Sequence, residues 1–320
     1  MLKKFTELLY RLIFALIPDR TVRGSYRFLF LELGFKNAIR TIIKTNKKMK
    51  EKINHKYYLS IVACVKNEDL YIQEWIEYYK LMGVEHFFIY DNESTDSTKE
   101  KLQPYINQGL VTYNYFESAS IKEKAQRQPY IYNCSIEQYG DTSKWMAFLD
   151  IDEYVRTKKE ATLAEYLKRN EQYNQVTFQW VIFGDSFHEK HVDGLIIENY
   201  TYRGKDCSET MKSIVQPQGT YLALLHKHSV AGKSLNATCD EIQCNHYYCK
   251  SKEDFYNKKA ARKSMSGCQN YDESDFNKYN QNDIIEEFSP EIIRTIKENL
   301  AKTNNFYKKN NNYENKSLCK

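Results

Sequence analysis

Asp150, Asp152 and Glu153 stand at the end of the stretch WMAFLDIDEY (Trp145 to Tyr154), where an apolar run from Met146 to Leu149 stops abruptly. An apolar run of that length reads as a buried strand, and side chains just past its carboxyl end meet water. Two carboxylates one residue apart on such an end can share one divalent cation through hard oxygen ligands. An acidic turn after a strand gives the same pattern without a metal, so the pair alone leaves both readings open. Two other apolar runs also end in polar groups. Lys66, Asn67 and Glu68 follow YLSIVACV (Tyr58 to Val65), and Asp91 follows VEHFFIY (Val84 to Tyr90). Three polar strand ends favour a ligand site over three unrelated turns.

From Tyr57 the chain alternates strand-like and helix-like stretches. The first strand is followed by a helix with apolar Leu70, Ile72, Trp75, Ile76 and Tyr79, for which Asn67 is the candidate cap and Gly83 the stop. After the second strand come a helix over 95–102 ahead of Pro104, a strand over 110–116, a partly helical stretch over 121–139 begun or broken at Pro129, and a strand over 144–149. Strand–helix–strand units of this length imply an α/β fold with a mainly parallel sheet, whose ligands bind at the carboxyl ends of the strands. Beyond Tyr154 the reading gives a helix over 163–168, a strand over 176–183, a loop holding Gly184, Asp185, Ser186 and His188, and strand-like stretches at 195–202 and 221–228. Ser251 and Asp254 form a capping-box pattern for a helix to about Met265. Ser289 and Pro290 open a last helix to Leu300. Residues 303–320, rich in Asn and Lys, read as disordered.

Charge divides the chain. Residues 1–56 carry 14 Lys and Arg against 4 Asp and Glu, and the remainder carries 33 against 38. A basic lead on a mildly acidic body fits an anionic partner surface and argues against a broad nucleic-acid channel. Phe5, Leu8, Leu9, Leu12, Ile13 and Leu16 recur at helical spacing, and Arg20, Arg23 and Arg27 precede a second apolar patch, Phe28 to Leu33. An interfacial helix of residues 1–40 on an anionic membrane fits this pattern, and so does a helix packed on the body. No run approaches the ~20 residues of a spanning helix, and no cleavage site follows Leu12 to Ile17. The expectation is a cytoplasmic protein, peripheral on the inner face of the membrane. The eight Cys include no CxxC pair; Cys239, Cys244, His246 and Cys249 cluster with a spacing that fits no common zinc site, so reduced thiols are the simpler expectation. The 27 Tyr are numerous, and packing accounts for most of them.

VKNEDLYIQEWIEYYKLMGVEHFFIYDNESTD followed by WMAFLDIDEY resembles the family 92 glycosyltransferases and their bacterial relatives in family 2. FQWVIFGDSFH, KSIVQP (Lys212 to Pro217) and CNHYYCKS (Cys244 to Ser251) agree in order. The resemblance covers about residues 58–265 and points to a bacterial type. It implies a GT-A-type, Rossmann-like nucleotide-sugar domain, a mainly parallel sheet flanked by helices with a smaller C-terminal acceptor-side part. The expected division is 1–56 as basic segment and linker, 57–154 as the nucleotide-sugar half, 155–302 as the acceptor half, and 303–320 as tail.

On that resemblance Asp150 and Asp152 hold Mn²⁺ or Mg²⁺ against the donor diphosphate. Asp150 also faces the ribose, Asp152 is the firmer ligand, Glu153 is supporting and His246 completes the metal site. Lys66, Asn67 and Glu68 lie near the nucleotide, Asp91 contacts base or ribose, Gln128 reaches the donor and Lys212 pairs with phosphate. The base of an inverting transfer is left between Asp185 and His188; Asp185 and Phe187 stand where the family usually has a small residue and a glycine. The implied reaction is metal-dependent hexosyl transfer from a nucleotide-sugar donor to a saccharide or lipid-linked glycan, in surface polysaccharide synthesis. The alternatives are a nucleotidyltransferase, which usually has a glycine-rich phosphate loop where this chain has VACVKNED, and a non-catalytic binding protein of the same fold.

Overall fold

The structure is a computed structural model and describes residues 20–121, 127–260 and 272–317. The expected helix over 1–17 and the end of the helix toward Met265 lie outside the described residues. A long helix, α1 (Arg20–Lys48), is broken at Gly34 (φ 70°). Then come β1 (Tyr57–Val65), α2 (Ile72–Leu81), β2 (His86–Asp91), α3 (Thr98–Asn107), β3 (Val111–Tyr115), α4 (Arg127–Tyr139) and β4 (Ser143–Phe148). The second half holds β5 (Glu153–Thr157), α5 (Leu163–Lys168), β6 (Gln175–Ile182), α6 (Ile196–Asn199), β7 (Tyr202–Arg203), β8 (Met211–Val215), β9 (Thr220–Leu222), β10 (Ser229–Val230), β11 (Ser234–Asn236) and β12 (Ile242–His246). A helical turn, α7 (Lys252–Asp254), runs into a π-helical stretch, and α8 (Glu273–Tyr279), β13 (Ile284–Ile285) and α9 (Pro290–Ser317) close the chain.

The central sheet has the order β3-β2-β1-β4-β8-β6-β12-β5, with β11 on β6. Strands β3, β2, β1 and β4 pair in parallel, and β6 pairs in parallel with β12. Strand β8 is antiparallel to both β4 and β6, so β6 and β12 point the same way as β4. The mainly parallel, helix-flanked sheet expected from the alternation is present. Its carboxyl edge collects the ends of β1, β2, β4, β6 and β12.

The link between β4 and β5 fixes the shape of that edge. These strands are four steps apart in the sheet order, about 19 Å if the sheet were flat. Residues 149–152 join them and span at most about 17 Å when fully extended. The sheet must therefore curl, and the Asp150–Asp152 turn is drawn into the concavity. Helix α2 secures β5 from behind. Trp75 Nε1 donates to Glu153 O (3.1 Å), Tyr79 OH donates to Glu153 O (2.9 Å) and accepts from Val155 N (2.9 Å), and Tyr78 OH donates to Val155 O (2.7 Å). All three rings are fully buried, so each brings a polar tip to backbone that water cannot reach.

Several local expectations are corrected. Asn67 does not cap α2. It adopts φ 53°, and its side chain accepts from Thr95 N across the edge, while α2 starts at Ile72 with no side-chain cap. Helix α3 runs through Pro104, and Gln108 N donates to Pro104 O. The 195–202 stretch is a helical turn followed by a two-residue strand, because Glu74 holds the amides of Ile196 and Ile197 (2.8 and 3.1 Å). Helix α9 continues past Leu300 to Ser317, in a stretch that has no Pro or Gly after Pro290 to stop it. Cys207 and Cys239 form a disulfide rather than two thiols, which also removes Cys239 from the Cys/His cluster; Cys64, Cys134, Cys244 and Cys249 remain thiols. Sequence spacing gave no hint of that pair, since proximity across the loops after β7 and β11 is a tertiary property. The Ser251 cap is present, with its hydroxyl accepting from Asp254 N.

Two outcomes test this packing. Gly83 has φ +86°, and a Cβ there would lie 2.6 Å from Ala164 Cβ; Gly83→Ala lowers unfolding free energy by about 2–4 kcal/mol in denaturant titration, through strain plus overpacking. Glu74 is 4% exposed, and burial pushes its carboxyl up from 4.5 to about 7 despite the two amides. The folded state therefore holds that proton more tightly than the unfolded chain. Its stabilising effect is full below pH 4.5 and is lost as pH rises toward 7, by about 3 kcal/mol in all. Unfolding titrations at pH 4.5, 6 and 7.5 should show this slope in the wild type and a flatter one in Glu74→Gln; equal slopes refute the assignment.

Candidate functional site

Strand register brings the polar groups of the carboxyl edge together. Val65 pairs with Asp91, so the residues after β1 and β2 lie side by side. Met146 pairs with Val215 and Ala147 with Ile214 in the antiparallel β4–β8 ladder, which carries Lys212 up beside Asp150. Lys212 Nζ lies 2.8 Å from Asp150 Oδ2 and 3.1 Å from Glu153 Oε2, and its side chain is 3% exposed. Asp150 N donates to Glu153 Oε2 (2.9 Å), and Gln128 Nε2 donates to Asp150 Oδ1 (2.8 Å). Gln128, Asp150 and Lys212 thus form one cluster, on elements far apart in sequence.

His246 reaches the turn from the other side. Strand β12 pairs antiparallel with β5, setting His246 opposite Glu153, and Tyr247 N donates to Asp152 O (2.9 Å). His246 Nε2 then stands 3.6 Å from Asp152 Oδ1. Trp180 on β6 sits between the two groups. Its ring lies 4.2 Å from the His246 ring, and Lys212 Nζ is 6.0 Å from its centroid. His226 contacts the same indole edge-on at 5.5 Å. Sequence reasoning passed over Trp180 and His226, and only strand register exposes them. The result is an arc, Asp150–Lys212–Trp180–His246–Asp152, around the turn.

The electrostatics are those of a buried cation with two acids. Burial favours neutral Lys212, but the Asp150 and Glu153 carboxylates outweigh it and hold the ammonium well above its ordinary range. Burial pushes Glu153 up to about 8 against the pull of Lys212.

These residues fit a divalent metal in a limited way. Asp152 oxygen and His246 nitrogen at 3.6 Å can both reach an ion with ligand distances of about 2.1 Å at an open angle. Both Asp150 oxygens are engaged by Lys212 and Gln128. Among the described residues no cluster of three His, Cys, Asp or Glu is placed to hold an ion. The donor set is a two-point seat that a diphosphate and water would have to complete.

The other expected residues divide. Asp91 is 2% exposed, with Oδ1 accepting from Ser94 N and Oδ2 from Tyr113 OH, both at 2.8 Å. Lys66 pairs with Glu93 at 3.7 Å, Asn67 bridges to the Ser94–Thr95 backbone and side chain, and Glu68 N donates to Thr98 Oγ1. These groups tie the β1 and β2 loops to each other at the edge. Asp185 is 7% exposed, and its Oδ1 accepts from Phe187 N and Asn282 Nδ2 (2.9 Å each). His188 Nε2 lies 3.2 Å from Asn199 O, which requires Nε2–H and leaves Nδ1 as the basic nitrogen. Every described non-glycine residue with positive φ sits on this edge: Asn67, Glu93, Ser186, Phe187 and Lys250 follow β1, β2, β6 and β12. Such conformations cost about 1–3 kcal/mol each and concentrate at functional sites.

A sequence model of glycosyltransferase family 92 matches residues 59–304. A family 92 glycosyltransferase of Ricinus communis is 26% identical over 198 residues, 59% of this chain and 35% of its own length. A galactan beta-1,4-galactosyltransferase of Arabidopsis thaliana is 24% identical over 190 residues, 55% of this chain and 38% of its own. The chain thus spans about a third of the length of the curated relatives it matches. These relatives are plant proteins, so the expected bacterial affiliation gains no support from them. Among solved structures, S. aureus TarS in complex with UDP aligns at TM-score 0.33 and 13% identity, over 50% of this chain and 47% of that one. A glucosyl-3-phosphoglycerate synthase from Mycobacterium tuberculosis in complex with Mn²⁺ and UDP aligns at TM-score 0.26 and 16% identity, over 38% and 43%. These structural likenesses are too partial to bear on function. The family match, by contrast, runs from β1 into α9 and takes in every residue of the carboxyl-edge cluster, and the chain belongs to glycosyltransferase family 92.

Proposed function

We propose that this chain transfers a sugar from a nucleotide-sugar donor to a saccharide or lipid-linked glycan acceptor, with inversion, in polysaccharide synthesis. The observation that carries this reading is the meeting of Asp150–Lys212 and Asp152–His246 on one turn at the carboxyl edge. A departing diphosphate gains negative charge, and stabilising it requires fixed positive charge at the place where it develops. Lys212 supplies one such charge on a buried side chain, where it acts more strongly than in solution. A bound Mn²⁺ or Mg²⁺ would add a second charge at Asp152 and His246. Asp150, Gln128 and the β1 and β2 loops, with Lys66, Asn67, Glu68 and Asp91, would border the nucleotide. Inversion needs a base for the acceptor hydroxyl. Of the two candidates, His188 keeps a basic nitrogen, Nδ1, whereas Asp185 spends Oδ1 on its own loop and retains Oδ2.

Turnover of the purified full chain would be followed as nucleoside diphosphate released from a panel of nucleotide sugars with Mn²⁺, UDP-galactose among them because relatives are named galactan galactosyltransferases. Asp152→Asn should lower release at least 100-fold, as should EDTA, and Lys212→Met at least 30-fold. Turnover by Asp152→Asn at the wild-type rate would sink the metal assignment, and no release from any donor would sink the transferase reading.

The acceptor reading places the protein peripherally on an anionic membrane, with a cytoplasmic position as the working proposal. Support comes from α1. Ala38 and Thr45 face inward, and Leu29 and Phe30 pack on Tyr221 and Ala231. On the outer side Phe35, Ile39 and Ile43 are exposed by 48, 37 and 64% at four-residue spacing. Lys36, Arg40 and Lys47 are exposed along the next face of the same helix. Apolar and basic rows side by side suit a helix lying at a lipid interface. Among the described residues no helix is long and apolar enough to cross a membrane. The Cys207–Cys239 disulfide weighs against the cytoplasmic part of this proposal, since such bonds persist in oxidising compartments. In co-sedimentation, Phe35→Ser/Ile39→Ser/Ile43→Ser should lose at least tenfold in binding to phosphatidylserine vesicles at unchanged thermal midpoint; undiminished binding refutes this surface.

A further inference from the structure

The loop after β6 spends conformational energy on a ring it does not bury. Ser186 and Phe187 are consecutive left-handed residues, with φ 50° and 65°. A bulky side chain at positive φ is strained, and glycine is the residue that adopts such a backbone freely. Phe187 is nevertheless 69% exposed, so burial of its ring does not offset the strain.

The loop is also held rigidly. Asp185 N donates to Asn280 Oδ1 (2.7 Å), Ser186 N to Asn282 Oδ1 (3.0 Å), Phe187 N to Asp185 Oδ1 (2.9 Å) and Tyr202 N to Ser186 Oγ (3.0 Å). These bonds fix where the phenyl ring stands. It meets Tyr202 edge-on, with centroids 5.0 Å apart and planes at 73°. Ile285, directly opposite Tyr202 in the β7–β13 pair and 57% exposed, extends the same face. The outcome is a small apolar shelf bordered by Asn280 and Asn282. It lies at the end of β6, whose neighbours in the sheet are β8, bearing Lys212, and β12, bearing His246.

We propose that Phe187, Tyr202 and Ile285 form a binding shelf for a pyranose ring of the saccharide acceptor, next to the diphosphate site; this deepens the transferase reading and rests on it. A pyranose presents an apolar face of C–H groups and a rim of hydroxyls. An aromatic shelf matches that apolar face, while the Asn280 and Asn282 amides at its border hold the loop that presents it. Three side chains are too small an area for the core of a stable protein interface, which favours a sugar over a second copy of the chain.

The test uses the full chain and columns of immobilised galacto-, gluco- and manno-oligosaccharides, so that binding is read without donor or turnover. Wild type should be retained on at least one column, Phe187→Tyr should match it, and Phe187→Gly should lose retention at least tenfold. Because glycine relieves the left-handed strain, the thermal midpoint of Phe187→Gly should hold or rise. A lower midpoint would make Phe187 an ordinary packing residue and overturn the proposal. Equal retention of Phe187→Gly, no retention of wild type on any column, or a wild-type dimer dissolved by Phe187→Gly would overturn it too. Loss of retention in Phe187→Gly alongside a wild type that releases no nucleoside diphosphate would leave the shelf standing and remove the transferase reading alone.

Discussion

Burying the Lys212 ammonium is tolerable only with carboxylates at contact distance, because a lone charge removed from water costs several kcal/mol even after relaxation. Asp150 and Glu153 meet that need at 2.8 and 3.1 Å, and the demand reaches well beyond the three side chains. Asp150 must be presented by the end of β4, Glu153 by the start of β5, and Lys212 by an antiparallel strand inserted beside β4. The residues that carry the candidate chemistry therefore also hold the halves of the sheet in register. A carboxylate that neutralises a buried lysine is at the same time restrained for any ligand arriving there, an arrangement that favours pre-formed sites.

The curl of the sheet serves the same end. A four-residue connection cannot cross a flat sheet of this order, so the Asp150–Asp152 turn sits where the halves approach. Trp75, Tyr78 and Tyr79 then anchor β5 by its backbone. Two of the many tyrosines thus work as buried hydroxyl donors and acceptors for a strand that is paired by β12 on one side only. Met and Leu would fill that volume equally well but would leave the Glu153 and Val155 backbone groups unsatisfied.

Strain is distributed unevenly. All five described non-glycine residues at positive φ lie in loops that leave the carboxyl ends of parallel strands, and none lies at the opposite edge. Side-chain bonds over-determine these loops, as with Asn67 to Thr95 and Asn282 to Ser186. Energy that could have gone to stability is held where ligand-facing geometry is set.

Some of this was legible in the residues themselves. The apolar runs before Lys66, Asp91 and Asp150 determined three parallel strands and the edge where their polar ends gather, because periodicity and burial are local properties. The Ser251 cap, the start of α9 at Pro290 and the 163–168 helix were readable for the same reason. The spacing of Asp150 and Asp152 marked the turn, and resemblance pointed to His246 as its metal partner and to Lys212 for the phosphate, without placing Lys212 against Asp150. Tertiary structure alone decided that Lys212 reaches Asp150 through an antiparallel β8, that His246 arrives through β12 paired with β5, and that Trp180 stands between them. It also decided that Asp91 spends both oxygens on Ser94 and Tyr113, that Asp185 spends Oδ1 on Phe187 and Asn282, and that Cys207 meets Cys239. Each of these depends on register between segments far apart in the chain, and a side chain's own neighbours in sequence carry no record of it.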